Sequence, residues 1–337
     1  MKKTLLIIYL LPVFSLLGME NAVLFSGNAN KELAESVADH LDMKLGNITV
    51  STFNDKEIRI LINENIRNRD TFIIQSTCTA NGQSVNDHLM ELYLMIRTLK
   101  RASAKSITAI IPYYGYARQD RKAKPRVPIS AADVAYLIES AGVDRVVAVD
   151  LHCGQIQGFF RDVPVDNLYA SIAFVPYFAK KDLKNIVVVS PDAGGVPRAK
   201  QFLQKLNQYY VEGNLAMIIK QRAGAGTIDK MNLVGDVEGA DAIIVDDMCD
   251  TGGTLVKAAE LIKKSGARRV YAAITHPVFS DPALQRIGHS VIDEMVISDT
   301  INLSPDAPDN ITQISIAPLL AETIRRLQTG ESVSSLF

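Results

Sequence analysis

Three aspartates, Asp246, Asp247 and Asp250, run directly into Gly252 and Gly253 in the stretch AIIVDDMCDTGGTLVKAAELI. Ala242 to Val245 is short, apolar and β-branched, the pattern of a buried parallel strand, while Leu255, Ala258, Ala259 and Ile262 recur at helical spacing. The acids and glycines therefore belong to a strand-to-helix turn. There the next helix offers free N–H groups and the positive end of its dipole, so an anion is expected. Glycines let backbone close around a phosphate, and Thr251 and Thr254 add hydroxyl donors. Carboxylates beside a phosphate repel it unless they face hydroxyls or a metal, and a sugar phosphate carries both a phosphate and a neutral diol. The stretch reads as a ribose phosphate cradle. A simple capped turn explains the glycines equally well, but the paired acids favour the ligand.

Other segments carry similar chemistry. VVSPDAGGVPRAK repeats the pattern, with Asp192 at a strand end, Gly194 and Gly195 in the turn, and Arg198 and Lys200 following. IIKQRAGAG places Lys220 and Arg222 at another strand end, before a glycine-rich loop able to fold over a substrate; cations aimed at phosphates are what phosphoryl transfer requires. YYGYARQDRKAKPR gathers Arg118, Arg121, Lys122, Lys124 and Arg126 among three tyrosines, the makings of a polyphosphate site. VAVDLHCGQIQGFF sets Asp150 and His152 where both can reach a Mg²⁺-bound polyphosphate. Neither a P-loop nor a G-x-G-x-x-G turn occurs, and G-x-S-x-G is missing too, so covalent hydrolase chemistry has no support.

These turns need strands to hold them. Apolar strands alternate with helical patterns along the 337 residues: NAVLF, TFIIQS, ITAIIP and RVVAVD, then NIVVVS, LAMII, AIIVDD, RVYAAIT and EMVIS. Helices over 31–41, 87–101 and 131–141 fill gaps in the first half. That alternation predicts an α/β fold with mainly parallel sheets flanked by helices, and the length suits two domains. A break near RDVPVDNLYA separates them, giving 19–166 and 167–337. Residues 1–18, MKKTLLIIYLLPVFSLLG, resemble a secretory signal, but the run is too short to span a bilayer and Pro12 breaks it. An upstream extension or mis-assigned start is favoured, with Met19 as working N-terminus.

Thirty-six basic residues against 37 acidic ones leave a net charge of -1, which provides no footprint for nucleic acid. No membrane association is expected. Cys78, Cys153 and Cys249 lie far apart without C-x-x-C spacing, so neither a disulfide framework nor zinc is implied. A reduced compartment, the cytoplasm, fits this usage.

Taken together, FNDKE, NDHLMEL, KRASA, IPYYGYARQDRK, DLHCGQIQGFF, VSPDAGGVPRA, GDVEG, VDDMCDTGGTL and the ending SVSSLF resemble the ribose-phosphate pyrophosphokinase family from about Met19 to Phe337. The resemblance implies two phosphoribosyltransferase-type domains and transfer of the β,γ-diphosphoryl group of ATP to the C1 hydroxyl of ribose 5-phosphate, releasing AMP. It also implies site roles. Asp246 and Asp247 face the ribose hydroxyls, while Asp250, Thr251, Gly252, Gly253 and Thr254 hold the 5-phosphate. Arg118, Gln119 and Asp120 belong to the ATP-contacting segment, and Phe53, Asp55, Lys56 and Glu57 to the loop that receives adenine. His152 and Asp192 are Mg²⁺-linked, and Lys220 and Arg222 are the catalytic cations. A homo-oligomer is implied, commonly a hexamer built from dimers, with ADP and phosphate as effectors and the FNDKE loop reaching a neighbour's ATP site.

This chain departs from the family pattern in places. Lys56 stands where glycine is usual, Ile219 and Gln221 replace charged residues, and QSTCTANGQSVNDHL is a few residues longer than usual. A phosphoribosyltransferase would share the second-half cradle but has no use for YARQDRK and DLH. A catalytically silent subunit is disfavoured by the retained Lys220.

Overall fold

The computed structural model describes residues 18–209, 212–221 and 230–336, apart from the side chains of Lys220, Gln221, Lys230 and Ser335. Arg222 and the loop after it lie outside the described residues, as do residues 1–17.

The first half runs β1 (Ala22–Ser26), α1 (Lys31–His40), β2 (Ile48–Thr52), β3 (Ile58–Ile62), β4 (Asp70–Ile74), α2 (Val85–Arg101), β5 (Ser106–Ile111), α3 (Ser130–Ser140), β6 (Arg145–Val149) and β7 (Val165–Leu168). Its sheet has the order β1-β4-β5-β6-β7 and is parallel throughout. β1 and β4 are buried along their whole length, as expected for strands covered on both faces. A separate antiparallel ribbon, β2–β3, projects from it. β7 pairs with β6 from Val165 to Leu168 and so straddles residue 166, where the sequence break had been expected.

The second half runs α4 (Ser171–Ala179), β8 (Ile186–Ser190), α5 (Val196–Asn207), β9 (Gly213–Gln221), β10 (Lys230–Val234), β11 (Asp241–Cys249), α6 (Gly253–Lys264), β12 (Arg269–Pro277), α7 (Ala283–Gly288), β13 (Glu294–Ser298), β14 (Ile311–Ile314) and α8 (Ala317–Thr329). Its seven strands have the order β10-β9-β8-β11-β12-β13-β14, with only the β9–β10 pair antiparallel. The expected α/β architecture of two sheets flanked by helices is what forms.

Local sequence explains the helix starts. Ser84 and Asp87 form a reciprocal capping box on α2, and Asn30 Oδ1 accepts the Leu33 amide on α1. In α6 the apolar positions read from spacing, Leu255, Ala258, Ala259 and Ile262, are the buried ones. The longer loop before α2 closes through a tight turn with Ala80 and Gln83 bonded to each other. Asn81 and Gly82 between them both adopt positive φ, 52° and 76°, which Asn-Gly tolerates well.

One apolar layer joins the halves. Leu24 and Phe72 from the first sheet and Val188 and Ile243 from the second bury together with Phe174, Phe178, Phe202 and Leu320. Phe178 and Phe202 meet edge-to-face at 5.9 Å between ring centroids, and each such ring contributes roughly 2–3 kcal/mol of burial. The halves are therefore held in a set relation, and the cleft between their strand ends is too.

Candidate active site

An open cleft lies beyond the carboxyl ends of β6, β8 and β11, where open α/β sheets place their ligands. The first half contributes Arg118, Asp120, Arg121 and His152; the second contributes Asp192, Gly194 and Gly195, and the run from Asp246 to Leu255. Ile219, near the end of β9, also lines it, which brings the main chain of Lys220 to the cleft edge.

The turn between β11 and α6 has the strand-to-helix position and glycine conformation read from its sequence. Gly252 sits at the N-cap of α6 with φ 74°, a left-handed conformation that glycine adopts without penalty. Among the described residues no side chain caps this helix, so its first N–H groups are open to an anion. Arg286, on α7, donates to the Thr251 carbonyl at 2.9 Å and braces the turn from behind.

β11 extends further than its apolar run suggested, reaching Cys249, so Asp246 and Asp247 lie within the strand. Its pairing continues through Asp246↔Ile274 and Met248↔His276, which carries the acids out to the cleft floor. Arg198, from the first turn of α5, collects both. Its Nη1 lies 3.7 Å from Asp246 Oδ1 and 3.3 Å from Asp247 Oδ1, while Nε stands 3.6 Å from Asp150 Oδ1. On the opposite side His152 Nδ1 meets Asp247 Oδ2 at 2.8 Å. Asp150 holds positive φ, 44°, and accepts from the Ala170 amide and the Thr275 hydroxyl, which ties the two halves together at this corner.

The electrostatics follow from these neighbours. Burial alone would raise the Asp247 carboxyl, but the His152 hydrogen bond and the Arg198 charge outweigh it and hold Asp247 below the ordinary carboxylate range. Desolvation, and then the adjacent Asp247 charge, push Asp246 well above that range. The hydrogen bond to Asp247 raises His152 above its usual value. Burial pushes the Cys153 thiol up to about 11 and those of Cys78 and Cys249 up to about 12; all three are free thiols.

The cleft thus gathers Arg118, Asp120, His152, Asp192, Asp246, Asp247, Asp250, Thr251, Gly252, Gly253 and Thr254. Two expected groups stand apart from it. Gln119 turns toward α3, where its side chain meets Ser130 and its carbonyl accepts the Ala131 amide. Phe53, Asp55, Lys56 and Glu57 form the exposed tip of the β2–β3 ribbon, with the Phe53 ring 52% exposed beneath the Arg59 guanidinium. Asp192 Oδ1 accepts the Gly195 amide at 3.0 Å, which shapes the second glycine turn.

Sequence reading missed the part played by Arg198, although its place just after the glycines of PDAGG was a signal. Arg286 had none, because it reaches the cradle from a separate helix.

Two family profiles match the chain: the N-terminal domain of ribose phosphate pyrophosphokinase over residues 22–142, and the phosphoribosyl synthetase-associated domain over residues 214–337. A ribose-phosphate pyrophosphokinase of Wolinella succinogenes is 50% identical over 319 residues, covering 95% of this chain and all of that one. One from Shewanella oneidensis is 51% identical over 322 residues, covering 95% and 99%. The crystal structure of phosphoribosylpyrophosphate synthetase from Mycobacterium smegmatis superposes with a TM-score of 0.85 at 43% identity, covering 92% of this chain and 100% of that one. With a likeness that spans both halves and the cleft between them, the chain belongs to the ribose-phosphate pyrophosphokinase family.

Proposed function

We propose that the chain transfers the β,γ-diphosphoryl group of ATP to the C1 hydroxyl of ribose 5-phosphate. The observation that carries this reading is the meeting of two anion-binding devices in one cleft: Arg118, from the basic first-half segment, lies 2.6 Å from Asp250 of the second-half cradle. The cradle takes the 5-phosphate, the acidic corner beside it takes the diol, and the C1 hydroxyl then projects toward the polyphosphate held by Arg118. In-line attack of the C1 oxygen on the β-phosphorus forms one P–O bond and breaks the bond to the α,β-bridging oxygen. AMP leaves with that oxygen, and the hydroxyl proton is released. Positioning and neutralisation of spreading charge do most of this work, and Lys220 and Arg222 are assigned to the departing oxygen.

The residues present suit Mg²⁺. Among the described residues no group of three or more His, Cys, Asp or Glu forms a metal cage, whereas Mg²⁺ needs only one or two protein ligands when substrate phosphates supply the rest. His152 and Asp192 would serve as those contacts. Mg²⁺ held there would offset the negative charge of the phosphate oxygens during transfer.

The exposed Phe53 tip supports a homo-oligomer, a hexamer built from dimers, in which FNDKE completes a neighbour's adenine pocket; ADP and phosphate are proposed as effectors. No described helix is long and apolar enough to cross a membrane, and we place the activity in the cytoplasm. Phosphorus NMR of protein with ATP, Mg²⁺ and ribose 5-phosphate tests the reaction. AMP and a 1-diphosphorylated sugar are expected. ADP as first-formed nucleotide would mean γ-transfer, and turnover only with a nucleobase and phosphoribosyl pyrophosphate would mean a phosphoribosyltransferase.

A further inference from the structure

The two acids of the cleft floor are held differently. Asp246 keeps 26% of its side chain exposed, whereas Asp247 keeps 4% and has both oxygens engaged: Oδ1 with Arg198 at 3.3 Å, Oδ2 with His152 Nδ1 at 2.8 Å. A carboxylate offers about four acceptor sites, but with donors seated on both oxygens from opposite sides and the side chain only 4% exposed, Asp247 has little open surface for a sugar hydroxyl. Arg198 is itself half-buried, with its side chain 16% exposed, and Nη2 also bonds the Leu151 carbonyl, one residue from His152. The guanidinium thus fixes Asp247 and the His152 loop together.

We propose that Asp247 is a positioning residue for His152, fixing its ring with Nδ1–H toward the carboxylate and Nε2 as the nitrogen with the free lone pair, while Asp246 alone meets the sugar diol. A carboxylate behind an imidazole sets tautomer and ring orientation in this way, and its removal typically costs about 10- to 100-fold in activity or metal affinity. The arrangement also crosses the fold, because His152 belongs to the first half and Asp247 to the second. What the imidazole is for rests on the diphosphokinase reading. How it is held does not.

The tautomer is read on substrate-free protein by magic-angle-spinning ¹⁵N NMR of histidine-labelled enzyme at alkaline pH. There are five histidines, and His152→Gln identifies the signal in question. An Nδ1–H ring is expected, and an Nε2–H ring in the wild-type enzyme would overturn the proposal with no acid substituted. Asp247→Asn then presents an NH₂ to one of two donors, so the His152 signal should shift. In turnover, kcat should fall about 10- to 100-fold with the KM for ribose 5-phosphate within about threefold, while Asp246→Asn should chiefly raise that KM. Equal rises in that KM for both variants, with the His152 signal unmoved by Asp247→Asn, would overturn the assignment. Failure of the wild-type enzyme to form AMP would sink the diphosphokinase reading and leave the tautomer result standing.

Discussion

Arg118 Nη1 and Asp250 Oδ2 stand 2.6 Å apart across the cleft, one from the basic segment after β5 and the other from the glycine turn after β11. The pair closes the space that a polyphosphate would enter.

That contact should be easily surrendered. The Arg118 side chain is 58% exposed, and ion pairs of this kind contribute about 0–1 kcal/mol. Arg118→Ala is expected to move the thermal midpoint by no more than about 3 °C while raising the KM for ATP by an order of magnitude, roughly the loss of one charge-assisted contact. Thermal scans and initial rates check both, and an unchanged KM would remove Arg118 from the ATP site.

Lys56 occupies the ribbon tip with φ 77°, a left-handed conformation that costs a side-chain-bearing residue about 1 kcal/mol. Its amide donates to the Phe53 carbonyl and the Phe53 amide to the Glu57 carbonyl, so the turn is pinned in that shape. Lys56→Gly relieves the strain, and a rise of about 1–3 °C in thermal midpoint is expected. A fall would show that the lysine side chain stabilises the tip.

Glu294 meets Lys181 at 2.7 Å and accepts from Tyr177 and Thr312. Burial opposes ionisation, but these partners together hold the carboxyl below its ordinary 4.5. The folded value is depressed, so the stabilisation is complete above pH 4.5 and is lost as pH falls through the lower folded value. Glu294→Gln should therefore be less stable than wild type at neutral pH, with the two midpoints converging as the solution is acidified below pH 4.5. A constant gap down to the acid limit would refute the linkage.

Lys220→Ala tests one of the two cations, Lys220 and Arg222, that the family resemblance assigns to catalysis; the structure describes only the main chain of Lys220, paired to Met231 in the β9–β10 ribbon. A donor felt mainly in the transition state is worth about 2–4 kcal/mol, so kcat should fall about a hundredfold to a thousandfold. The KM for ribose 5-phosphate should stay within a few-fold, and near-normal turnover would exclude Lys220 from the step.

Much was legible in the amino-acid sequence because parallel strands buried on both faces spell themselves as apolar runs, and their turns as Gly, Asp and Thr. Leu255, Ala258, Ala259 and Ile262 announced α6 and its buried face, and DTGGT announced the glycine turn that opens it. The ribbon β2–β3 went unread although Ile58, Ile60 and Ile62 alternate, since attention to continuous runs passes over a half-buried strand; β7 and β14, four residues each, were too short to stand out. Tertiary structure alone decided how the acids divide. Spacing places Asp246 and Asp247 side by side and makes them look equivalent, but Arg198 arrives from α5 and His152 from beyond β6, 95 positions away from Asp247. Which carboxylate keeps a free face depends on those long-range donors and on the burial they impose, and no local pattern encodes either.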